Sequence, residues 1–495
     1  MRLSGTQFAS RSEDQFGTRA RAAIDLGAES CRVSLLRWQD GRPSIELIHR
    51  IPNGPVHVDG TLRWPLDAIL AGLEEGLRKA AHAAPEGIAS IAVDGWAVDY
   101  VRLDKNGEPV GLPFCYRDER TIASKDAADR IALPEWMFHQ TGAQPLRINT
   151  VYQLLADSAA GIDPHAPWVC LPEYVLTRLG GRRVAEYTNA THTGLVEIET
   201  GDWSEPLLEQ LKLSKEALPP IVPTGTVVGK LQGPLAVLDA FRDTELIVPA
   251  CHDTASAIAG ISTPLNFTAY ICSGTWSLVG TLIDTPFTKV EAMKAGFTNQ
   301  GAAGGGFCFH SNVNGMWILK QCLESWRPNG RPWDLPELIV QAAACDHFPG
   351  VVNVDSPSLL LDGDMPARLN EQLRLAGYAE IADHAGNEPI FARVIFESLA
   401  SRYATAIQSL ENMLSCKLNR IHILGGGSLN QLLTCLTADR TGRPVERGNV
   451  ESSTVGNFAV QLASSDAQGG PLKRDAVHRW AQRLSEPANI EAHVR

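Results

Sequence analysis

The stretch Ala22-Ala23-Ile24-Asp25-Leu26-Gly27-Ala28-Glu29-Ser30-Cys31-Arg32-Val33-Ser34-Leu35-Leu36 carries the pattern that sets the fold. Ala22 to Leu26 and Arg32 to Trp38 are strand-like runs, and Gly27 to Cys31 is a small-residue turn between them. A third run, Ser44 to Ile51, alternates apolar and polar residues, so a three-stranded antiparallel meander is expected. Pro65 suits the first turn of a helix whose Leu66, Ile69, Leu70, Leu73 and Leu77 recur at helical spacing. Ile88 to Val93 then reads as a buried strand. The order β-β-β-α-β predicts a mixed sheet covered by helices.

The same pattern returns further on. Ala269 to Cys272 is a strand, Ser273-Gly274-Thr275 a small turn, and Trp276 to Gly280 a strand again. Phe391, Ile395, Leu399, Tyr403, Ile407, Leu410 and Leu414 form the stripe of a long core helix. Arg420 to Leu424 reads as a strand, Gly425-Gly426-Gly427 as a turn, and Ser428 to Thr441 as a helix. Residues from about 110 to 245 read mainly as loops with polar and aromatic clusters. The chain is therefore expected to be two α/β halves meeting near residue 258, with a ligand cleft between them. The predicted divisions are a polar leader at 1–21, domains at 22–257 and 258–465, and a tail at 466–495.

Composition narrows the function. The 495 residues have 44% hydrophobic content and a net charge of −12, which fits a globular protein and disfavours a general nucleic-acid or anionic-membrane surface. Ten scattered cysteines without a C-x-x-C pair predict buried thiols and a reducing cytoplasm rather than a zinc site. No secretory h-region and no membrane-length apolar run is present, so no membrane partner is expected.

Between the halves lies Cys251-His252-Asp253-Thr254-Ala255-Ser256-Ala257, where a strand-like run gives way to a helix. Asp253 is of the type that caps helices, and equally of the type that accepts a proton. Three small-residue turns, around Gly27, Gly274-Thr275 and Gly425 to Gly427, permit close backbone approach to one phosphate chain. Asp25 beside the first turn suits Mg²⁺, usually through water. A cradle, a cation and a carboxylate near the nucleophile are the parts that phosphoryl transfer needs. The competing motifs fail. Gly225-Thr226-Val227-Val228-Gly229-Lys230-Leu231 has the wrong spacing for a Walker A loop, Gly425 to Asn430 lacks the last dinucleotide-binding glycine, and Gly274 to Leu278 is not a hydrolase elbow.

Over nearly all of 22 to 465 the chain resembles the FGGY carbohydrate kinases, and among them most closely the rhamnulokinases. Asp25-Leu26-Gly27-Ala28-Glu29-Ser30-Cys31-Arg32 is similar to the family's first phosphate loop, and Asp94-Gly95-Trp96-Ala97-Val98-Asp99 to its sugar-site motif D-T-W-G-V-D. Gly111-Leu112-Pro113 with Tyr116-Arg117-Asp118-Glu119-Arg120, Tyr187-Thr188-Asn189-Ala190-Thr191, His252-Asp253-Thr254-Ala255-Ser256-Ala257, Ser273 to Leu278 and Ile423 to Gly427 match further motifs in order.

The resemblance implies two actin/hexokinase-like (ribonuclease H-like) α/β domains with a cleft between them, ATP and Mg²⁺ as cofactors, and a small-molecule ketose as partner. It implies Asp253 as general base and Asp25 as the residue placing the cation. Gly27, Ala28, Glu29, Ser30, Cys31, Arg32, Gly274, Thr275, Lys320, Gly425, Gly426 and Gly427 are implied at the nucleotide. Trp96, Ala97, Asp99, Arg117, Asn189, His252, Thr254 and Asn312 are implied at the sugar. Cys31, Gly95, Ala97, His192 and Lys320 depart from the family pattern, and the identity of the sugar is expected to turn on Gly95 and Ala97. L-rhamnulose is the implied substrate, with L-fuculose or another ketose as the alternative, and a non-catalytic sugar or nucleotide sensor as an alternative of another class.

Overall fold

The computed structural model describes residues 19–263, 265–467 and 469–485 of the chain. Its first sheet contains β1 (Ala20–Leu26), β2 (Ser30–Gln39), β3 (Arg42–Pro52), β4 (Ile88–Gly95), β5 (Val227–Lys230) and β6 (Glu245–Ile247), in the spatial order β5-β6-β4-β1-β2-β3. β1, β2 and β3 are antiparallel, whereas β4 lies parallel to β1 and β6 parallel to β4. The meander and the mixed sheet are as the sequence predicts.

The second sheet contains β7 (Thr268–Ser273), β8 (Trp276–Ile283), β9 (Phe297–Gly301), β10 (Phe307–Asn314), β11 (Arg420–Leu424) and β12 (Val445–Arg447), ordered β9-β10-β8-β7-β11-β12. Here β7, β8 and β10 are the antiparallel set, and β11 and β12 continue in parallel from β7. Five strands of each sheet thus share one topology.

Because side chains alternate across a strand, β1 faces two cores. Ala22, Ile24 and Leu26 join Leu66, Ile69, Leu73 and Leu77 of the helix Leu66–Ala83. Ala23 points the other way, with Leu36 and Ala250, onto Val455 and Phe458. In the second lobe Ile271, Val279 and Phe309 pack on the predicted stripe of the helix Glu388–Leu414.

Four expectations change. The region read as loops contains the helices Thr121–Ile131, Pro134–Thr141, Thr150–Ala159 and Leu171–Arg178. The late helix begins at Gln431 rather than Ser428, because Gly426–Leu429 forms a 3-10 turn and Asn430 caps the helix by accepting from Leu433 N at 3.0 Å. The leader ends earlier than drawn, since Ala20 is already a buried strand residue; most of it lies outside the described residues. Over its described residues, the region after 450, read as the end of the second domain followed by a tail, is helical. Helices Ser452–Ala467 and Arg474–Ser485 pack on the first sheet, through Val455, Phe458, Val477 and Trp480.

The helices Asp253–Ala259 and Ser452–Ala467 cross in close contact between the lobes. A Cβ on Gly456 would fall 1.7 Å from Ser256 O, and one on Gly260 would fall 2.4 Å from Ser452 O. Only glycine allows that approach.

Candidate active site

A cleft of about 930 Å³ opens between the sheets, lined from both lobes. Its floor is acidic, with Asp25 and Asp253 in the lining and Asp94 behind Asp25. Asp25 near the end of β1 pairs in register with Asp94 on β4, and both are buried. Asp25 Oδ2 accepts from Arg32 Nη1 and from Ser453 Oγ, each at 3.0 Å. Asp94 Oδ2 accepts from Asn457 Nδ2 at 2.6 Å, while Asp94 Oδ1 has no partner. Burial, then the neighbouring Asp25 carboxylate, holds Asp94 well above the usual carboxylate range, and burial likewise raises Asp25.

Asp253 lines the same cleft, half-buried. It is the first residue of its helix and not the cap; His252 occupies the cap position and makes no side-chain capping bond. Burial pushes the Asp253 carboxyl up to about 6, against a bond from Thr254 and the positive charge of Arg32. The carboxylate is thereby poised near neutrality, where a base is most effective. His252 Nε2 lies 3.4 Å from Asp253 Oδ1. Burial takes its imidazole down to about 3, so it meets a ligand as a neutral hydrogen-bonding ring.

Two turns face each other above this floor. At the first, the Gly27 carbonyl accepts from Asn53 Nδ2 at 2.9 Å, and a Cβ on Gly27 would meet Ser30 O at 2.5 Å. At the second, the Gly274 carbonyl accepts from Met316 N and that of Thr275 from Trp317 N, at 2.9 and 3.2 Å. Gly425 has φ +75°, and its Cβ would meet Ser273 O at 2.9 Å. Side chains at Gly27 and Gly425 would collide with backbone of the turns themselves, so glycine is required there by turn packing, and these turns present backbone to the cleft they line. The donors on the acidic floor are carboxylate oxygens, which suit a hard cation. Among the described residues no three His, Cys, Asp or Glu side chains converge as a metal site, so most oxygens around a Mg²⁺ would come from phosphate and water.

The structure brings most of the expected residues to the cleft: Asp25, Gly27, Ala28, Glu29, Ser30, Arg32, Trp96, Ala97, Arg117, His252, Asp253, Thr254, Gly274, Thr275, Asn312, Gly425 and Gly426 all line it. Five do not. Cys31 is fully buried in the first core. Gly427 packs behind the turn, where a Cβ would fall 2.0 Å from Ser273 Oγ. Lys320 reaches over the mouth from the helix Trp317–Trp326, with Nζ 2.5 Å from Glu29 Oε1.

Asp99 is the fourth. It accepts from Trp64 Nε1 at 2.6 Å, Trp96 Nε1 at 3.1 Å, Gln153 Nε2 at 3.0 Å and Tyr116 N at 3.1 Å. Those bonds occupy both oxygens, so Asp99 positions Trp96 instead of touching a ligand. Asn189 is the fifth. It is buried and donates to Glu173 Oε2 at 2.9 Å. Its neighbour Thr188 accepts from His252 N at 3.4 Å, so this loop braces the cleft from behind. Gly95, expected to tune the sugar, is also off the cleft. A Cβ there would sit 2.6 Å from Leu26 Cβ, so the glycine answers to strand packing.

Sequence reasoning missed the groups delivered by the helix Ser452–Ala467. Ser453 reaches Asp25, Asn457 reaches Asp94, and Gln461 accepts from Ser90 Oγ at 2.6 Å. A signal was present: Asn457 and Gln461 stand four apart in the otherwise apolar stretch 455–463, and buried amides need partners. Val98, in the sugar-site motif, has φ +71°. That is strained for a β-branched residue. It is clamped by Thr150 Oγ1 and Gln153 Nε2 donating to its carbonyl at 2.7 and 3.2 Å.

Paired sheets of one topology, closing on backbone turns and a carboxylate floor, place the chain among the phosphotransferases of actin/hexokinase-like architecture. The models of the N-terminal and C-terminal domains of the FGGY family of carbohydrate kinases match residues 21–260 and 269–465. The chain belongs to that family: it is an ATP-dependent carbohydrate kinase acting on a small-molecule sugar substrate. Its structure is similar to the ligand-bound xylulose kinase from Lactobacillus acidophilus, at 16% identity and TM-score 0.73, covering 94% of this chain and 97% of that one. The gluconate kinase from the same organism matches at 16% identity and TM-score 0.73, covering 94% and 96%. The Plasmodium falciparum glycerol kinase with ADP matches at 13% identity and TM-score 0.69, covering 94% and 93%. At these identities the likeness is one of fold. No described helix is long and apolar enough to cross a membrane.

Proposed function

We propose that the chain moves the γ-phosphoryl group of ATP, with Mg²⁺, to a primary hydroxyl of a ketose, and that L-rhamnulose, giving L-rhamnulose 1-phosphate, is the substrate. The observation that carries the reading is Asp253, a half-buried carboxylate with a pKa of about 6, on the cleft floor beneath the two glycine turns. In its ionised form Asp253 accepts the proton of the attacking hydroxyl. Neutral His252 and Thr254 hold the sugar beside it, and Trp96, Ala97, Arg117 and Asn312 bound the pocket. Gly27, Ser30, Gly274, Thr275, Gly425 and Gly426 receive the phosphates. Asp25 would hold the magnesium through water, and the cation would spread the charge of the transferring group. Approach of the lobes excludes water, which limits idle ATP hydrolysis. The choice of L-rhamnulose rests on the ordered motif resemblance.

A coupled ATPase assay over L-rhamnulose, L-fuculose, D-xylulose, gluconate and glycerol tests the substrate. A higher kcat/KM for any other member of the panel would displace L-rhamnulose. On the best sugar, Asp253→Asn should lower kcat by about 10²–10⁴-fold, and retention of more than about a tenth would remove Asp253 as the base.

A further inference from the structure

The turn that presents Asp253 is held from behind by a buried carboxylate that the reaction described so far does not use. Glu186 ends the short strand Ala185–Glu186 and caps the next turn, its Oε2 accepting from Thr188 N at 3.0 Å and from Asn189 N at 3.3 Å. The same oxygen accepts from Cys251 N at 2.9 Å and from the Thr188 hydroxyl, while Thr224 Oγ1 donates to Oε1. The residue is fully buried.

None of those partners is a cation. Burial without a counterion costs stability, and it raises the Glu186 carboxyl above the usual carboxylate range. Capping the turn does not require this, since an exposed Ser or Asp caps as well. What the buried position adds is a hold on a distant part of the chain. Cys251 and His252 are the two residues before Asp253, and Glu186 secures the backbone N–H of both. It takes Cys251 N directly and His252 N by way of Thr188 Oγ1, which accepts it at 3.4 Å. Thr188 is free to accept there because its own proton goes to Glu186.

From the other side, the Cys251 carbonyl accepts from Gly95 N at 2.9 Å, at the end of β4. The peptide that enters the Asp253 helix is therefore gripped from two directions. The helix itself, Asp253–Ala259, has only seven residues, and so short a helix is marginal without support from its surroundings.

We infer that Glu186 is the positioning residue of Asp253: through Cys251 N, and through Thr188 to His252 N, its carboxylate fixes where the base stands relative to the hydroxyl it serves. This rests on the reading of Asp253 as the base. A displacement of about 1 Å at a reacting group costs about 10²-fold in rate, so a rigid hold on these two N–H groups acts on kcat and not on nucleotide binding.

The test is a double-mutant cycle on the full chain, with kcat measured at saturating ATP and the best ketose of the panel. Glu186→Leu removes the acceptor and keeps bulk; it should lower kcat by about 10–100-fold and leave the KM for ATP unchanged, with thermal melting to confirm that it is folded at the assay temperature. Glu186→Gln keeps an oxygen where the N–H groups point and should recover most of that loss. In the Asp253→Asn background Glu186→Leu should cost less than about threefold more, because a base that is absent cannot be misplaced. The same factor in both backgrounds would assign Glu186 to support of the fold alone and overturn the proposal. So would a wild-type kcat in Glu186→Leu, or a Glu186→Gln enzyme no better than Glu186→Leu. Should Glu186→Leu fail to fold, Thr188→Val, which removes the hydroxyl between Glu186 and His252 N, takes its place in the cycle, with a loss of about 3–10-fold expected that again vanishes in the Asp253→Asn background. Retention of more than about a tenth of kcat by Asp253→Asn alone removes the base reading, and the positioning role with it, before any Glu186 variant is read.

Discussion

The two lobes place different chemistry on the same strand positions. In the first sheet Asp25 pairs with Arg32 on one side and Asp94 on the other. In the second, the residue two before the turn glycine is Cys272, and its partners are Leu278 and Leu424. Three ionisable residues on one side thus correspond to a thiol and two leucines on the other. The fold supplies the turn in both lobes, but at these strand positions only the first supplies carboxyl and guanidinium groups. That asymmetry suits phosphoryl transfer. A cation and a base must approach the reacting end from one side, while a second acidic lobe would repel the phosphates from the other.

The comparison can be broken by moving charge between the lobes. Asp25→Asn removes the cation anchor proposed above, so kcat should fall by about 10²–10³-fold and the Mg²⁺ needed for half-maximal rate should rise. A magnesium titration of turnover reads both. Cys272→Asp transplants a carboxylate to the neutral side. It should lower kcat/KM for ATP by about 10–100-fold, while Cys272→Asn, of similar shape and no charge, should stay within about threefold of wild type.

The pH profile sharpens the same contrast. With Asp253 at about 6, kcat/KM should fall by about tenfold for each pH unit below that value. Stability runs the other way. The folded pKa lies above the unfolded value, so the fold favours the protonated form; this contribution is complete below about pH 4 and lost as pH rises through about 6. Asp253→Asn should therefore melt higher than wild type at pH 7 to 8, with the difference gone at about pH 4. Least affected should be Lys320→Ala. The Lys320–Glu29 ion pair is exposed at the cleft mouth, and such pairs contribute about 0–1 kcal/mol, so its melting temperature should move by only a few degrees.

How legible each part was follows from its physics. The strands around Gly27 and Gly274 and the helix Glu388–Leu414 were readable because burial imposes a period on a continuous run. Helices such as Thr150–Ala159 were not. They are short and nearly surrounded by structure, with Gln153 and Asp157 buried among apolar residues, so no clean stripe appears. Asp253, His252 and the turn glycines Gly27, Gly274, Gly425 and Gly426 could be found in the motifs because they line the cleft where they stand. Asp99 and Asn189 also stand in matched motifs, yet Asp99 acts through Trp96 and Asn189 is held by Glu173 behind the cleft, a distinction that only contacts reveal. The link from Asn457 to Asp94 spans 363 residues, and no local pattern names its far end.

That link also has a consequence for how the molecule is made. The helices Ser452–Ala467 and Arg474–Ser485 cover the face of the first sheet that carries Ala23 and Leu36. Nearly all of the second lobe's core lies between Ala269 and Leu436. At roughly 5–20 residues per second, the ribosome completes that covering roughly ten to fifty seconds after finishing the first sheet. Until then one face of the first sheet is an open hydrophobic surface within reach of chaperones and of other nascent chains. The lobe synthesised first is therefore the last able to finish folding.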